Sequence, residues 1–225
     1  MAVQFLKVTS DQVEARLLET LDSLFKKYNR ILWVITGGSN ILLVAKIMKQ
    51  VSDEDSAKLA MILSDERYGP VGHPDSNLQL LYEAGFDPKK ATIVPVLRSG
   101  LSLSETTKLY GEALQTAFEA ADYSLGLFGM GIDGHVAGIL PGSTAVTTAK
   151  KWSYGYDTDQ FVRITMTPFA ISHLSEAVLI ALGEPKKRPV LESLKKQLSA
   201  KVQPAQLLKK VPMCTVMNDQ IGEVL

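Results

Sequence analysis

The segment FGMGIDGHVAGILPGS, Phe128 to Ser143, holds an aspartate and a histidine two residues apart, Asp133 and His135, inside a glycine-rich turn. An imidazole with an unperturbed pKa of about 6.5 can accept a proton near neutral pH and return it later in the same cycle, the task of a general acid–base catalyst. The chain has three histidines. His73 precedes a proline and reads as loop structure, and His173 lies in the helical stretch PFAISHLSEA with no nucleophile or metal partner around it. His135 is the candidate base.

Three further segments carry polar chemistry. In TGGSN, Gly37, Gly38 and Ser39 follow an apolar run and open a helix, so their backbone N–H groups and the positive helix end suit a phosphate. In SDERYGPVGHPDSN, Asp65, Glu66, Arg67, His73 and Asp75 crowd into what reads as a charged loop at the end of a strand. Arg163 in FVRITMTP and Lys186 in GEPKKRP, separated by one helix, could together neutralise a phosphate dianion. Gly129, Gly131 and Gly134 match G-x-G-x-x-G, but Pro141-Gly142 cuts short the helix that a dinucleotide site requires, which argues against a nicotinamide cofactor.

The elements that must position these residues follow from periodicity. Thr9 and Gln12 have capping-box spacing, and Val13, Leu17, Leu21, Leu24, Phe25 and Tyr28 then recur at helical intervals. Strand Ile31 to Thr36 leads to helix Ser39 to Met48; a strand near Lys58 to Ser64 leads through a polar loop to a helix from Ser76. Strand Ala91 to Val96 and a helix near Ser104 to Glu119 precede a strand near Ser124 to Phe128. Strands Trp152 to Tyr156, Phe161 to Met166, Ala177 to Leu182 and Met213 to Met217 follow, with helices after Pro168, after Pro185 and around Pro204. This alternation predicts an α/β, Rossmann-like, mainly parallel sheet with helices on both faces, in which ligands bind beyond the carboxyl ends of the strands.

Composition sets outer limits. With 225 residues, 46% hydrophobic and 21% charged, the chain is expected to form a single domain over residues 1–225. Lysine plus arginine (24) equal aspartate plus glutamate (24), so no net positive field favours nucleic acid. One cysteine, Cys214, allows neither an internal disulfide nor a cysteine-based zinc site and is expected to be a core thiol. No basic leader or run of about 20 apolar residues marks a membrane span, and the expected compartment is the cytoplasm. The oligomeric state is left open.

In their order and spacing, TGGSN, DER with HPDSN, GMGIDGHVAGILPGS, RITMTP and GEPKKRPVLESL resemble the 6-phosphogluconolactonase family, from Ile31 onward. The resemblance implies the sugar-phosphate isomerase type of Rossmann-like fold and hydrolysis of a phosphosugar lactone without metal or cofactor. It makes His135 the general base, with Asp133 orienting its loop, and Arg67 the residue steadying substrate and oxyanion. Gly37, Gly38, Ser39, Asp65, Arg163 and Lys186 form the substrate and phosphate set. Departures are Asn40, where the family more often has threonine, and DGHVAG in place of DGHTAS, so that Val136 and Gly138 lack hydroxyls that could bear on substrate preference. The neighbouring reading is a glucosamine-6-phosphate deaminase; there DEY replaces DER and a glutamate follows the histidine by five residues, where this chain has Arg67 and Leu140. A non-catalytic sugar-phosphate sensor is the third reading.

Overall fold

The computed structural model describes residues 3–148, 150–183 and 187–224. In chain order the strands and α-helices are β1 (Gln4–Lys7), α1 (Ser10–Lys27), β2 (Ile31–Ile35), α2 (Ile41–Gln50), α3 (Asp53–Ser56), β3 (Leu59–Leu63), β4 (Asp65–Arg67), α4 (Asn77–Glu83), β5 (Thr92–Val94), α5 (Leu103–Ala120), β6 (Tyr123–Gly129), β7 (Ser153–Asp157), β8 (Val162–Met166), α6 (Pro168–Ile171), β9 (Glu176–Ala181), α7 (Lys187–Leu194), β10 (Met213–Asn218) and β11 (Glu223–Val224). Among the described residues, eight strands form one sheet in the order β11-β1-β10-β9-β6-β2-β3-β5. Its pairings are parallel. All five residues of β2, ILWVI, are buried, as the central strand of a sheet covered on both faces requires.

Local chemistry explains the element ends. The predicted capping box opens α1, with Thr9 Oγ1 accepting from the Gln12 N–H and the Gln12 side chain accepting from the Thr9 N–H. Ser102 and Glu105 make the same reciprocal arrangement at α5. Cys214 is buried, and burial pushes its thiol up to about 12. His173 packs against Phe169 and Trp152 and points its Nδ1 at the Phe169 carbonyl, 2.8 Å away, a packing role. Among the described residues no helix is long and apolar enough to cross a membrane.

Two expectations need correction. Asp65 to Arg67 is a strand rather than a charged loop; with β8 and β7 it forms a second, antiparallel sheet in the order β4-β8-β7. The strands expected from Trp152 to Met166 therefore build this small sheet instead of extending the large one. The helix expected around Pro204 is present as a 3₁₀ helix, Pro204–Lys210. Ser64 is the joint between the sheets: its N–H donates to Ile35 O of the large sheet (2.7 Å), and its carbonyl accepts from Met166 N–H of the small one (2.9 Å).

Strand order reverses between β2 and β6. From β2 the chain steps outward through β3 and β5, then returns to lay β6 on the other side of β2 before continuing to β9 and β10. The loops leaving β2 and β6 consequently diverge and open a crevice at the sheet's carboxyl edge. These loops are the TGGSN segment and the glycine-rich turn.

Candidate active site

The crevice encloses about 280 Å³. The β2 loop contributes Gly37, Gly38 and Ser39; the β6 turn contributes Gly131 and His135; the small sheet contributes Asp65, Arg67 and Arg163. Eight of the nine site residues named from sequence thus line the crevice or, for Asp133, touch a residue that does. The ninth, Lys186, lies outside the described residues.

In the β6 turn, the His135 ring Nδ1 is 2.7 Å from Asp133 Oδ1, and the same oxygen accepts the His135 backbone N–H at 3.1 Å. A carboxylate can only accept, so it fixes the proton on Nδ1 and leaves Nε2 as the basic nitrogen. Burial pushes the Asp133 carboxyl up, but the hydrogen bonds from the His135 ring and backbone outweigh it, and the group sits below the usual carboxylate range. Gly131 makes the pair possible, since a Cβ there would collide with the imidazole and with Asp133 Oδ1. No helix follows β6; turns continue to a short 3₁₀ segment at Thr144–Thr147, which removes the nicotinamide reading of the glycine pattern.

The small sheet delivers the cations. Arg67 on β4 and Arg163 on β8 are directly opposed residues of an antiparallel pair. Sequence reading divides them between two ends of a substrate; the pairing makes them neighbours. Like charges so placed repel. Arg163 is 8% exposed and approaches Asp65 at only 3.5 Å, while Arg67 Nη1 donates to the Asp75 carbonyl (2.8 Å). The buried Nε of each arginine has no hydrogen-bond partner among the described residues. Two incompletely paired guanidiniums thus line one crevice, with donors able to bind an anion.

Glu66 and Asn77, given no role from sequence, hold this arrangement together. The buried Glu66 carboxylate accepts from the N–H groups of Arg67 (2.7 Å), Asn77 (2.6 Å) and Leu78 (3.1 Å) and from Ser76 Oγ (3.0 Å), tying β4 to the start of α4. Burial pushes its carboxyl above the ordinary value against the pull of these four donors. Asn77 Nδ2 donates to the Asp65 carbonyl (3.0 Å), and its amide occupies the space a Cβ at Gly37 would need. The usable signal was an acid followed ten residues later by Ser-Asn at a helix start. His73, as expected, is loop structure, its Nε2 lying 2.9 Å from the Arg67 carbonyl.

The departures at Val136 and Gly138 do not reach the crevice. Val136 is fully buried. Gly138 donates its N–H to Thr165 Oγ1 (3.0 Å), and Thr165 and Asp65 fill the space a serine side chain would take. Among the described residues no three His, Cys, Asp or Glu side chains are grouped to hold a metal ion.

The fold and the crevice define the class: an α/β protein whose topological switch point opens into a crevice lined by a histidine and two arginines. Residues 6–217 match the family described as glucosamine-6-phosphate isomerases/6-phosphogluconolactonase, and the chain belongs to it. It is 30% identical over 197 residues to 6-phosphogluconolactonase 3, chloroplastic, of Arabidopsis thaliana, covering 78% of this chain and 59% of that protein, less than two thirds of its length. It is 30% identical over 186 residues to a 6-phosphogluconolactonase of a Nostoc species, covering 78% and 75%. A 6-phosphogluconolactonase crystal structure from Shewanella baltica superposes with a TM-score of 0.81 at 19% identity, covering 96% of this chain and 98% of that one, which shows a common fold.

Proposed function

We propose that the chain hydrolyses 6-phospho-D-glucono-1,5-lactone to 6-phosphogluconate, the ring-opening step of the oxidative pentose phosphate pathway. The observation that carries this reading is the Asp133–His135 pair, 2.7 Å apart, in one crevice with two incompletely paired arginines. A lactone needs only a water, a base and charge stabilisation. His135 Nε2 takes a proton from the water as its oxygen attacks the carbonyl carbon, and Asp133 stabilises the resulting imidazolium. Backbone N–H groups of the glycine-rich β6 turn stabilise the carbonyl oxygen as it gains charge, each such donor being worth about 3 kcal/mol. Collapse of the tetrahedral intermediate breaks the bond to the ring oxygen, which takes its proton from His135. Arg163, with Arg67 beside it, and the Gly37–Ser39 loop hold the phosphate.

The isomerase half of the family is disfavoured by one feature. Leu140, where a deaminase is expected to carry its ring-opening glutamate, offers no proton-transfer group, and Asp65 is the only carboxylate among the described residues lining the crevice. The test generates the lactone in situ and follows its decay by NMR with and without protein, alongside ammonia release from glucosamine 6-phosphate. Decay faster than the spontaneous rate without ammonia is expected. Ammonia release without faster decay would replace this reading with deamination, and binding without either would make the protein a sensor.

A further inference from the structure

We propose that Phe161 is a positioning residue for anion binding: its ring holds the guanidiniums of Arg67 and Arg163 together without consuming their donors. This rests on the reading of the crevice as a phosphate-binding site. The Arg67 guanidinium carbon lies 4.8 Å from the centre of the Phe161 ring and that of Arg163 lies 5.5 Å from it, both within cation–π range. One aromatic side chain thus serves two cations that their strand register sets directly opposite each other.

The physical need is specific. Two cations on opposed strand positions repel, and contacts around them must offset that repulsion. A bridging carboxylate would do so, but it would also occupy the N–H groups and cancel the charge a dianion requires. A ring face attracts each guanidinium through its quadrupole and accepts no strong N–H hydrogen bond. Asp65 forms a buried ion pair with Arg163 at 3.5 Å, too long for a strong hydrogen bond, and among the described residues both Nε atoms have no partner.

The ring is fixed by the turn that carries it. In the β7–β8 connection, Thr158 N–H (2.9 Å) and Thr158 Oγ1 (2.7 Å) both donate to the Phe161 carbonyl, and Phe161 N–H donates back to Thr158 Oγ1 (3.1 Å). The ring also lines the crevice. It reaches the substrate through the two arginines.

The experiment compares wild type with Phe161→Leu and Phe161→Tyr, with Phe161→Met standing in should the leucine variant not fold. Steady-state kinetics on the phosphorylated lactone should show KM raised about tenfold in Phe161→Leu, kcat within about twofold, and both restored in Phe161→Tyr, which keeps the ring face. Unphosphorylated gluconolactone should be hydrolysed equally by all. An unchanged KM, or an equal loss of kcat on both lactones, would overturn the proposal. Calorimetric titration with inorganic phosphate reads the same effect without turnover. Weaker binding by Phe161→Leu supports the role even if no lactone is hydrolysed, in which case only the reaction assignment fails. Equal binding by all variants, or none by wild type, overturns it.

Discussion

Glu66→Gln tests the brace beneath the cationic half of the site. The carboxylate receives four donors while 1% exposed. Glutamine keeps one acceptor oxygen and turns the other into a donor. Its best placement leaves the oxygen on the Arg67 and Asn77 N–H groups and aims the NH₂ at Ser76 Oγ, which can reverse and accept. The Leu78 N–H then faces a donor. One orphaned buried N–H costs about 1–3 kcal/mol, and losing a negative charge at the α4 N-terminus adds up to about 1 kcal/mol. Relief from burying a charge returns part of this, since burial holds the Glu66 carboxyl above its ordinary value. The expected net loss is about 2 kcal/mol at pH 7, or roughly 4–8 °C in Tm for a domain of this size. The sign with pH is fixed. A carboxyl whose folded pKa is raised contributes stability that is fully present below the unfolded value of about 4.3 and lost as pH rises through the folded one. The gap between wild type and variant should therefore widen as pH is lowered from 7 toward about 4.5, as read by urea denaturation at both. Equal midpoints at pH 7, or a gap independent of pH, would refute the reasoning.

His135→Asn should lower kcat on the phosphorylated lactone by about 10²-fold or more; unchanged hydrolysis by the folded variant would remove His135 from the mechanism. Arg163→Ala should raise KM for that lactone about 30-fold, the equivalent of about 2 kcal/mol, with little change in kcat or in hydrolysis of unphosphorylated gluconolactone. A wild-type KM would place the phosphate elsewhere. The Asp133 carboxyl has a lowered folded pKa, so its contribution to stability is present above the unfolded value of about 4 and lost as pH falls through the folded value. The stability difference between wild type and Asp133→Asn should shrink as pH falls below about 4, as urea denaturation will show.

The parallel sheet was legible because its strands advertise themselves locally: ILWVI is an unbroken apolar run between turn signals, and the helix after it has its own period. β1 was not, since Gln4 to Lys7 alternates weakly and its partner, β10, is more than 200 residues away. Asp65 to Arg67 misled for the opposite reason. Three consecutive charged residues read as solvent-exposed, yet their burial depends on Ser76 to Leu78 and on β8, none of them adjacent in the chain. The His135 turn was found because glycine, acid and histidine stand within a few residues of one another. The opposition of Arg67 and Arg163, and the ring between them, depends on a strand register across about a hundred residues, and no short window contains it. The substitutions at Val136 and Gly138 drew attention as chemistry, but they are matters of packing, which a side-chain inventory does not disclose.

Ser64 gives the site a fixed scale. With its N–H committed to one sheet and its carbonyl to the other, it ties the sheet that leads into the His135 turn to the sheet that carries the two arginines. If His135 and the arginines act on the two ends of one substrate, the joint between the sheets sets the length they can accept. On the proposed reading, a lactone whose anionic end stands one carbon nearer its carbonyl should be hydrolysed with a higher KM than the six-carbon phosphorylated lactone, and equal KM values would show that the joint sets no such length.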